Sequence, residues 1–415
     1  MPNSRKVFAN QRILLNYRGI IAMKHIFLTV LFVIQLSSCK SNDDGSIAND
    51  YTGFTTYTID LKTAVDSVNI LDYIDTSFCE AIVLESKDGF LIGEIQNIAY
   101  RGDTIIIVDS QTKSILFFDK NGKAISKICR IGRARGEYTN IYASYISDDK
   151  IYIYDSNQWR IVCYDFKGNL VSAFECPDVN SLAVYNDTVF VDKWWHGTKV
   201  QGNFVDLLAG DGSLIKNEIH KKTTDSEKPF IHYPQKFLIS YPNNLSYWVD
   251  FDDMVFKYKN GAFEPYYKLE YADKIKVPRS AINKGPEYLY NSYAYGYVWY
   301  TNSILETTNH IFAFFEVRYK TQPSESYSFI VDKTTSETLL TKNLFDGDLF
   351  RFGGIQDRNF FFTFLRGVDM RFYRAECEKA DANARFSNFT MKECLKMTEG
   401  ISETDNGIIF IKKMK

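Results

Sequence analysis

The chain has 415 residues, with 49 Lys and Arg against 51 Asp and Glu and a formal net charge of −2. That balance excludes the basic field of a nucleic-acid binder, and no chain-wide field of one sign points to a polyionic substrate. Aromatic residues make up 16%, with 28 Tyr and 32 Phe, which favours pleated, β-rich structure.

The first element in chain order is an address. Met23-Lys24-His25 precedes an apolar run, Ile26 to Leu36, followed by Ser37, Ser38 and Cys39. A short cationic start, an apolar stretch and small residues before a cysteine are the order of a secretory signal with a lipobox-like end. The run has about 11 residues where a helix needs roughly 20 to cross the hydrocarbon core, so the expectation is an anchor and not a span. Residues 1–22 read as an upstream extension or long n-region and 23–38 as the signal peptide. Cys39 is then the lipidation site. Residues 39–54, with Asp43 and Asp44, are a polar tether, and 55–415 form the folded body. This address predicts an outer-membrane lipoprotein of the cell envelope, periplasmic or surface-exposed, bound to the membrane through Cys39 and its acyl chains.

The body repeats one pattern. Residues 95–128 hold four short strands separated by Arg101-Gly102-Asp103, a break near Asp109 and Lys120-Asn121-Gly122-Lys123; Asn-Gly supplies the positive-φ turn of a hairpin. A second copy follows from Tyr142 to Glu175. Val108-Asp109 aligns with Tyr154-Asp155, and Phe118-Asp119 with Tyr164-Asp165, each pair 46 residues apart. Four strands at that period mark a β-propeller blade. A third copy starts at Ser181, and more degenerate ones occupy 236–268, 304–340 and 352 onward, giving six blades. Two strands have no local partners, Glu80–Leu84 at the start and Gly407–Lys412 at the end. They fit a ring closed by placing both ends of the chain in one blade, which protects sheet edges. The Ala, Glu and Lys content of about 372–397 predicts one long helical insertion in the last blade.

Ile92-Gly93-Glu94-Ile95, Phe118–Lys123 and Ile131-Gly132-Arg133-Ala134-Arg135-Gly136-Glu137-Tyr138 together resemble the six-bladed β-propeller lipoproteins of Bacteroidota, relatives of NHL-type and TolB-like propellers. The resemblance covers roughly 55–415. That family shows Gly-x-Gly-Pro-Gly-Glu-Tyr where this chain has Arg133, Ala134 and Arg135. What the resemblance implies is the all-β six-bladed fold of four-stranded antiparallel blades and a place in the envelope; it implies no particular activity.

Chemistry-bearing motifs are sparse. His196, His220, His232 and His310 form no HExxH or other close metal pair, there is no Gly-x-Ser-x-Gly elbow, and no metal or cofactor is implied. Asp250, Asp252 and Asp253, and Asp346 and Asp348, are acidic turns of the kind that cap and solubilise a loop, or else hold an ion. Among the cysteines, Cys129 and Cys163 lie in apolar runs that predict buried free thiols, and Cys377 with Cys394 is the most plausible local disulfide.

Two segments rise above this background as candidate ligand sites. One is the loop between blades one and two, with Arg130, Arg133, Arg135, Glu137 and Tyr138, expected on a face near the channel. Its guanidinium groups suit carboxylate, sulfate or phosphate, or else Arg130 and Glu137 tie neighbouring blades. The other is the aromatic run 285–300, with Tyr293, Tyr295 and Trp299, and its smaller counterpart Trp194-Trp195-His196. These rings can stack on a sugar or aromatic ligand, or fill a core. The resulting expectation is a monomeric, non-enzymatic binding module for a glycan, peptide or envelope protein. The alternative is a propeller lyase or hydrolase acting on polysaccharide, since propellers build sites from residues distant in sequence.

Overall fold

The structure, a computed structural model, describes residues 53–193, 203–220, 238–241, 244–249, 253–278, 281, 284, 286–346, 350–351, 355–381 and 383–415. Three strands come first: β1 (Thr55–Ile59), β2 (Val65–Asn69) and β3 (Ile74–Val83). Blade one follows as β4 (Ile95–Arg101), β5 (Thr104–Asp109), β6 (Ser114–Asp119) and β7 (Ala124–Ile128). Blade two holds β8 (Ala143–Ile146), β9 (Lys150–Asp155), β10 (Arg160–Asp165) and β11 (Leu170–Glu175). Blade three is β12 (Val179–Tyr185), β13 (Thr188–Lys193), β14 (Asn203–Leu208) and β15 (Leu214–His220). Blade four is β16 (Leu238–Tyr241), β17 (Asn244–Val249), β18 (Met254–Lys259) and β19 (Ala262–Tyr271). After helix α1 (Pro286–Tyr293), blade five is β20 (Val298–Glu306), β21 (His310–Val317), β22 (Glu325–Asp332) and β23 (Thr338–Asp346), with β24 (Phe350–Arg351) paired to β23. Blade six begins with β25 (Ile355–Asp357) and β26 (Phe360–Leu365).

The chain then leaves the sheet through α2 (Met370–Lys379), a small hairpin of β27 (Arg385–Phe386) and β28 (Phe389–Thr390), and α3 (Met391–Met397). It returns as β29 (Ile408–Met414), which pairs with β26 on one side and with β3 on the other. The two partnerless strands of the sequence therefore meet, Ile409 opposite Ile82 and Phe410 opposite Ala81. This is a six-bladed β-propeller of four-stranded antiparallel blades, closed where β29 pairs with β3.

Burial explains the repeated sequence. The second and third strands of blade one, TIIIVD and SILFFD, are buried along almost their whole length. They are sandwiched between neighbouring blades, so they read as continuous apolar runs; the outer strand AISKI buries only its ends. A separate apolar core fills every blade junction. Phe117 and Ile106 meet Ile153 and Val162 between blades one and two; Phe118 and Ile107 meet Phe362 and Ile411 between six and one. Four further cores complete the ring. Polar ties reinforce it: Arg101 donates to Ser147 O and Ile146 O of blade two at 3.0 Å each, and to Asp357 of blade six at 3.0 Å.

Two features differ from the sequence expectation. The insertion is two short helices around a hairpin, because Ser387 takes φ +50 in a tight turn and Thr390 starts a new helix with a reciprocal capping box to Glu393. Its core joins Met370, Tyr373, Cys377, Met391 and Cys394 to Ile408 and Phe410 of blade six. The second difference is a pair of strands outside the repeat pattern: β1 adds parallel to β19 of blade four and β2 parallel to β23 of blade five, before β3 enters blade six. Residues 55–83 thus hem three successive outer edges, satisfying backbone groups an open edge would expose.

Candidate functional site

Antiparallel alternation sorts every connection to one of two sides. First-to-second and third-to-fourth strand turns share one side, and all of those among the described residues are tight, such as 102–103, 120–123 and 166–169. Second-to-third turns and the links between blades share the other. That loop side carries 129–142, the linker 272–297 with α1, and the helical insertion.

The arginine loop is built from inside. Tyr138 is fully buried; its hydroxyl donates to Lys113 O at 3.0 Å, and its ring meets Tyr164 edge to face at 6.3 Å. Tyr164 Oη in turn donates to Gly136 O at 2.7 Å. The Glu137 carboxylate accepts from Ala134 N at 2.9 Å, and a Cβ on Gly132 would collide with that carboxylate. Glu137 therefore closes its own loop, while the ties to blade two are Arg160 Nη1 to Ala134 O at 2.8 Å and Gln158 Nε2 to Gly132 O at 3.2 Å. Arg160 and Tyr164 belong to the third strand of blade two and Leu170, packed against Gly136, to the fourth, so the arginine segment runs over the outer strands and not beside the channel. Arg130, Arg133 and Arg135 are exposed and make no side-chain hydrogen bond or ion pair among the described residues.

Below the loop stands Asp155, the end of β9. Burial alone would raise its carboxyl pKa, yet donors from Thr139, Gln158 and Asn157 hold it below the ordinary value. Near the end of β13, Asp192 accepts, among the described residues, from Asn180 Nδ2 at 2.7 Å and Tyr247 Oη at 2.9 Å, and complete burial pushes it up to about 7.

The aromatic segment sits nearer the axis, because Trp299 belongs to β20, the innermost strand of blade five. Trp299 is 8% exposed, and its Nε1 donates to Tyr293 O at 2.7 Å. Tyr293 and Tyr297 meet edge to face at 4.9 Å, and Val277, Ala281 and Leu289 complete a small separate core. Tyr290, 5.4 Å from Trp299 ring to ring, and Tyr295 remain exposed. The two candidate segments lie at the junctions of blades one/two and four/five. Three blades apart in a ring of six, they stand on opposite sides of the axis.

Cys39, Trp194, Trp195 and His196 lie outside the described residues, as do Asp250, Asp252 and Asp348. Asp253 is buried and accepts from Lys276 and Thr301, both at 3.0 Å. Among the described residues no group of three His, Cys, Asp or Glu side chains is placed to hold a metal, and no helix is long and apolar enough to cross a membrane. Cys163 is a buried free thiol as expected, but Cys129 is exposed because it follows the outermost strand of its blade. Cys377 and Cys394 are buried neighbours with free thiols. Sequence reasoning missed Trp159, 59% exposed in the turn beside the arginine loop. The available signal was a Trp where the preceding blade has Lys113, 46 residues earlier.

The family model described as "Domain of unknown function (DUF4934)" matches residues 56–413. The chain belongs to this family. Among solved structures it is similar to a protein designated as exported from Bacteroides fragilis NCTC 9343, at 17% identity and a TM-score of 0.65, covering 87% of this chain and all of that one. A DUF4221 family member from Bacteroides vulgatus ATCC 8482 aligns at 10% identity and a TM-score of 0.47, over 81% of this chain and 97% of that one. No curated protein matches the chain.

Proposed function

We propose that this DUF4934 protein is an envelope lipoprotein, lipidated at Cys39, whose loop side is a non-enzymatic binding surface. The order of signal elements ending at Cys39 supports the address, and the similar Bacteroides fragilis protein is itself designated as exported. The first described strand, β1, runs parallel to the fourth strand of blade four and begins on the side of the tight turns.

The observation that carries the binding role is the arginine loop. Its backbone is fixed by buried Tyr138 and by Glu137, while Arg130, Arg133 and Arg135 stand exposed without a carboxylate partner among the described residues. A rigid backbone with free guanidinium groups suits ligand recognition better than blade cohesion, which other side chains supply. Cys39→Ala moves the protein from the membrane to the soluble fraction if the anchor reading holds; complete retention in membranes overturns it. On a mixed glycan and peptide array, the wild-type protein shows ligands that the Arg133→Ala/Arg135→Ala variant loses. Identical array profiles with unchanged melting temperature refute the loop as the binding site.

A further inference from the structure

The turn Ser156–Trp159 of blade two is fastened to the arginine loop from both flanks of Trp159. Gln158 Nε2 bonds Gly132 O and also Asp155 Oδ2, at 2.7 Å; Arg160 Nη1 bonds Ala134 O. Trp159 adopts φ +50, a left-handed conformation that is uncommon for a bulky residue. Lys113, at the same position in blade one, has φ +53, so the turn imposes this backbone. Both carbonyls serve the fold, Lys113 O accepting from Tyr138 Oη and Trp159 O from Cys176 N at 2.7 Å. The backbone role is therefore filled equally by Lys, and the indole is not required for it.

Nor does the indole pack inward. It is 59% exposed and has no ring, hydrogen-bond or cation partner among the described residues. Ile131 of the arginine loop is likewise 55% exposed. An exposed aromatic surface and an exposed aliphatic side chain thus belong to the same fastened loop-and-turn unit as three guanidinium groups that have no partner among the described residues, and the loop's only carboxylate, Glu137, is turned onto Ala134 N.

We propose that Trp159, Ile131, Arg130, Arg133 and Arg135 form a subsite for an anionic carbohydrate, one whose sugar rings carry carboxylate or sulfate groups. The proposal rests on the reading of the arginine loop as a binding surface and names its ligand class. Guanidinium groups pair with carboxylate or sulfate oxygens through two parallel N–H donors. An indole offers a large rigid face at low entropic cost, matching the flat C–H face of a pyranose ring. A neutral glycan has no use for three cations. A small free anion has no use for the indole, and an acidic peptide carries its carboxylates on flexible arms without a flat apolar face.

The test titrates the intact protein in detergent micelles with oligogalacturonate, chondroitin sulfate oligomers, neutral dextran, poly-glutamate and inorganic sulfate. Expected results are binding of at least one anionic glycan, none of dextran, and a tryptophan fluorescence change on binding that disappears in Trp159→Phe. Trp159→Ala weakens that glycan about tenfold with unchanged melting temperature, and Arg133→Ala/Arg135→Ala weakens it at least tenfold and flattens its salt dependence. If poly-glutamate or sulfate binds as tightly as the glycans and Trp159→Ala changes nothing, the carbohydrate assignment falls while the loop remains a binding site. If no anionic glycan binds, this assignment also falls, and only matching array profiles of wild type and arginine variant would overturn the binding surface as well.

Discussion

The arginine loop and the aromatic segment solve opposite problems. The loop is held by its carbonyls and by two of its own side chains: Gly132, Ala134 and Gly136 O take donors from Gln158, Arg160 and Tyr164, Tyr138 and Glu137 bond inward, and the long cationic side chains are left over. In the aromatic segment the side chains do the holding. Trp299, Leu289 and the rings of Tyr288, Tyr293 and Tyr297 form their own core, and among the described side chains of the segment Tyr290 and Tyr295 are left exposed. The difference shows that a run of chemically promising residues is informative only after those that hold the segment in place are subtracted.

The sharpest way to break this comparison is to remove each holder. Tyr138→Ala empties a fully buried aromatic site and should destabilise the protein by about 3–5 kcal/mol, read as a lower midpoint in urea unfolding. Tyr138→Phe keeps the ring and loses the bond to Lys113 O, for about 1 kcal/mol. Trp299→Ala removes a comparable ring, yet its core is separate from the blade junctions. Its effect should therefore appear as faster hydrogen exchange in 284–297 more than as a global shift. Global unfolding as severe as that of Tyr138→Ala would show that the aromatic segment supports the ring itself.

Strand-end aspartates sharpen the contrast through pH. Donors keep the Asp155 carboxyl below its ordinary pKa, so its contribution is complete above the unfolded value of about 4 and is lost as pH falls through the lower folded value. Asp192 is pushed up to about 7, so folding favours its protonated form. That contribution is present below about pH 4 and lost as pH rises toward 7. Thermal melts from pH 3 to pH 8 should show both limbs. Asp192→Asn should remove the decline between pH 4 and 7, and Asp155→Asn should weaken the acid limb at a cost of about 1–3 kcal/mol near neutrality. An unchanged neutral limb in Asp192→Asn would mean that the carboxyl titrates elsewhere.

Much of the fold was legible because the propeller repeats locally. The Asp109/Asp155 and Asp119/Asp165 offsets gave the blade period, and the strands around Ile82 and Ile409 announced ring closure by lacking neighbours. β1 and β2 were not legible: each pairs in parallel with a strand far along the chain, Thr55 with Tyr267 and Val65 with Thr341, and no turn or alternation encodes such a partner. The site was legible in residue type and not in position. The arginines were visible, but their place over the outer strands depends on contacts from Arg160 and Leu170 that spacing does not reveal. Trp159 was hidden for the same reason, since its exposure is a property of the folded turn. The net charge of −2 carries no trace of the loop, whose three Arg against one Glu vanish in a sum over the chain; only its local motif made it visible.

The smallest expected stability effect is the most discriminating. Arg133→Ala/Arg135→Ala should change the melting temperature by no more than an exposed surface pair normally does, within about 0.5 kcal/mol per site. Tyr290→Ala/Tyr295→Ala should be equally mild, since both rings are more than half exposed. If the arginine pair is mild and ligand binding falls, the guanidinium groups are free for recognition because Tyr138, Glu137 and Gln158 already hold the loop. A loss of several kcal/mol would instead make the arginines holders, and the contrast between the two segments would disappear. Repeating the measurement at high salt separates the cases further: attraction to a charged ligand weakens as the Debye length shrinks, whereas the buried contacts of Tyr138 are little affected.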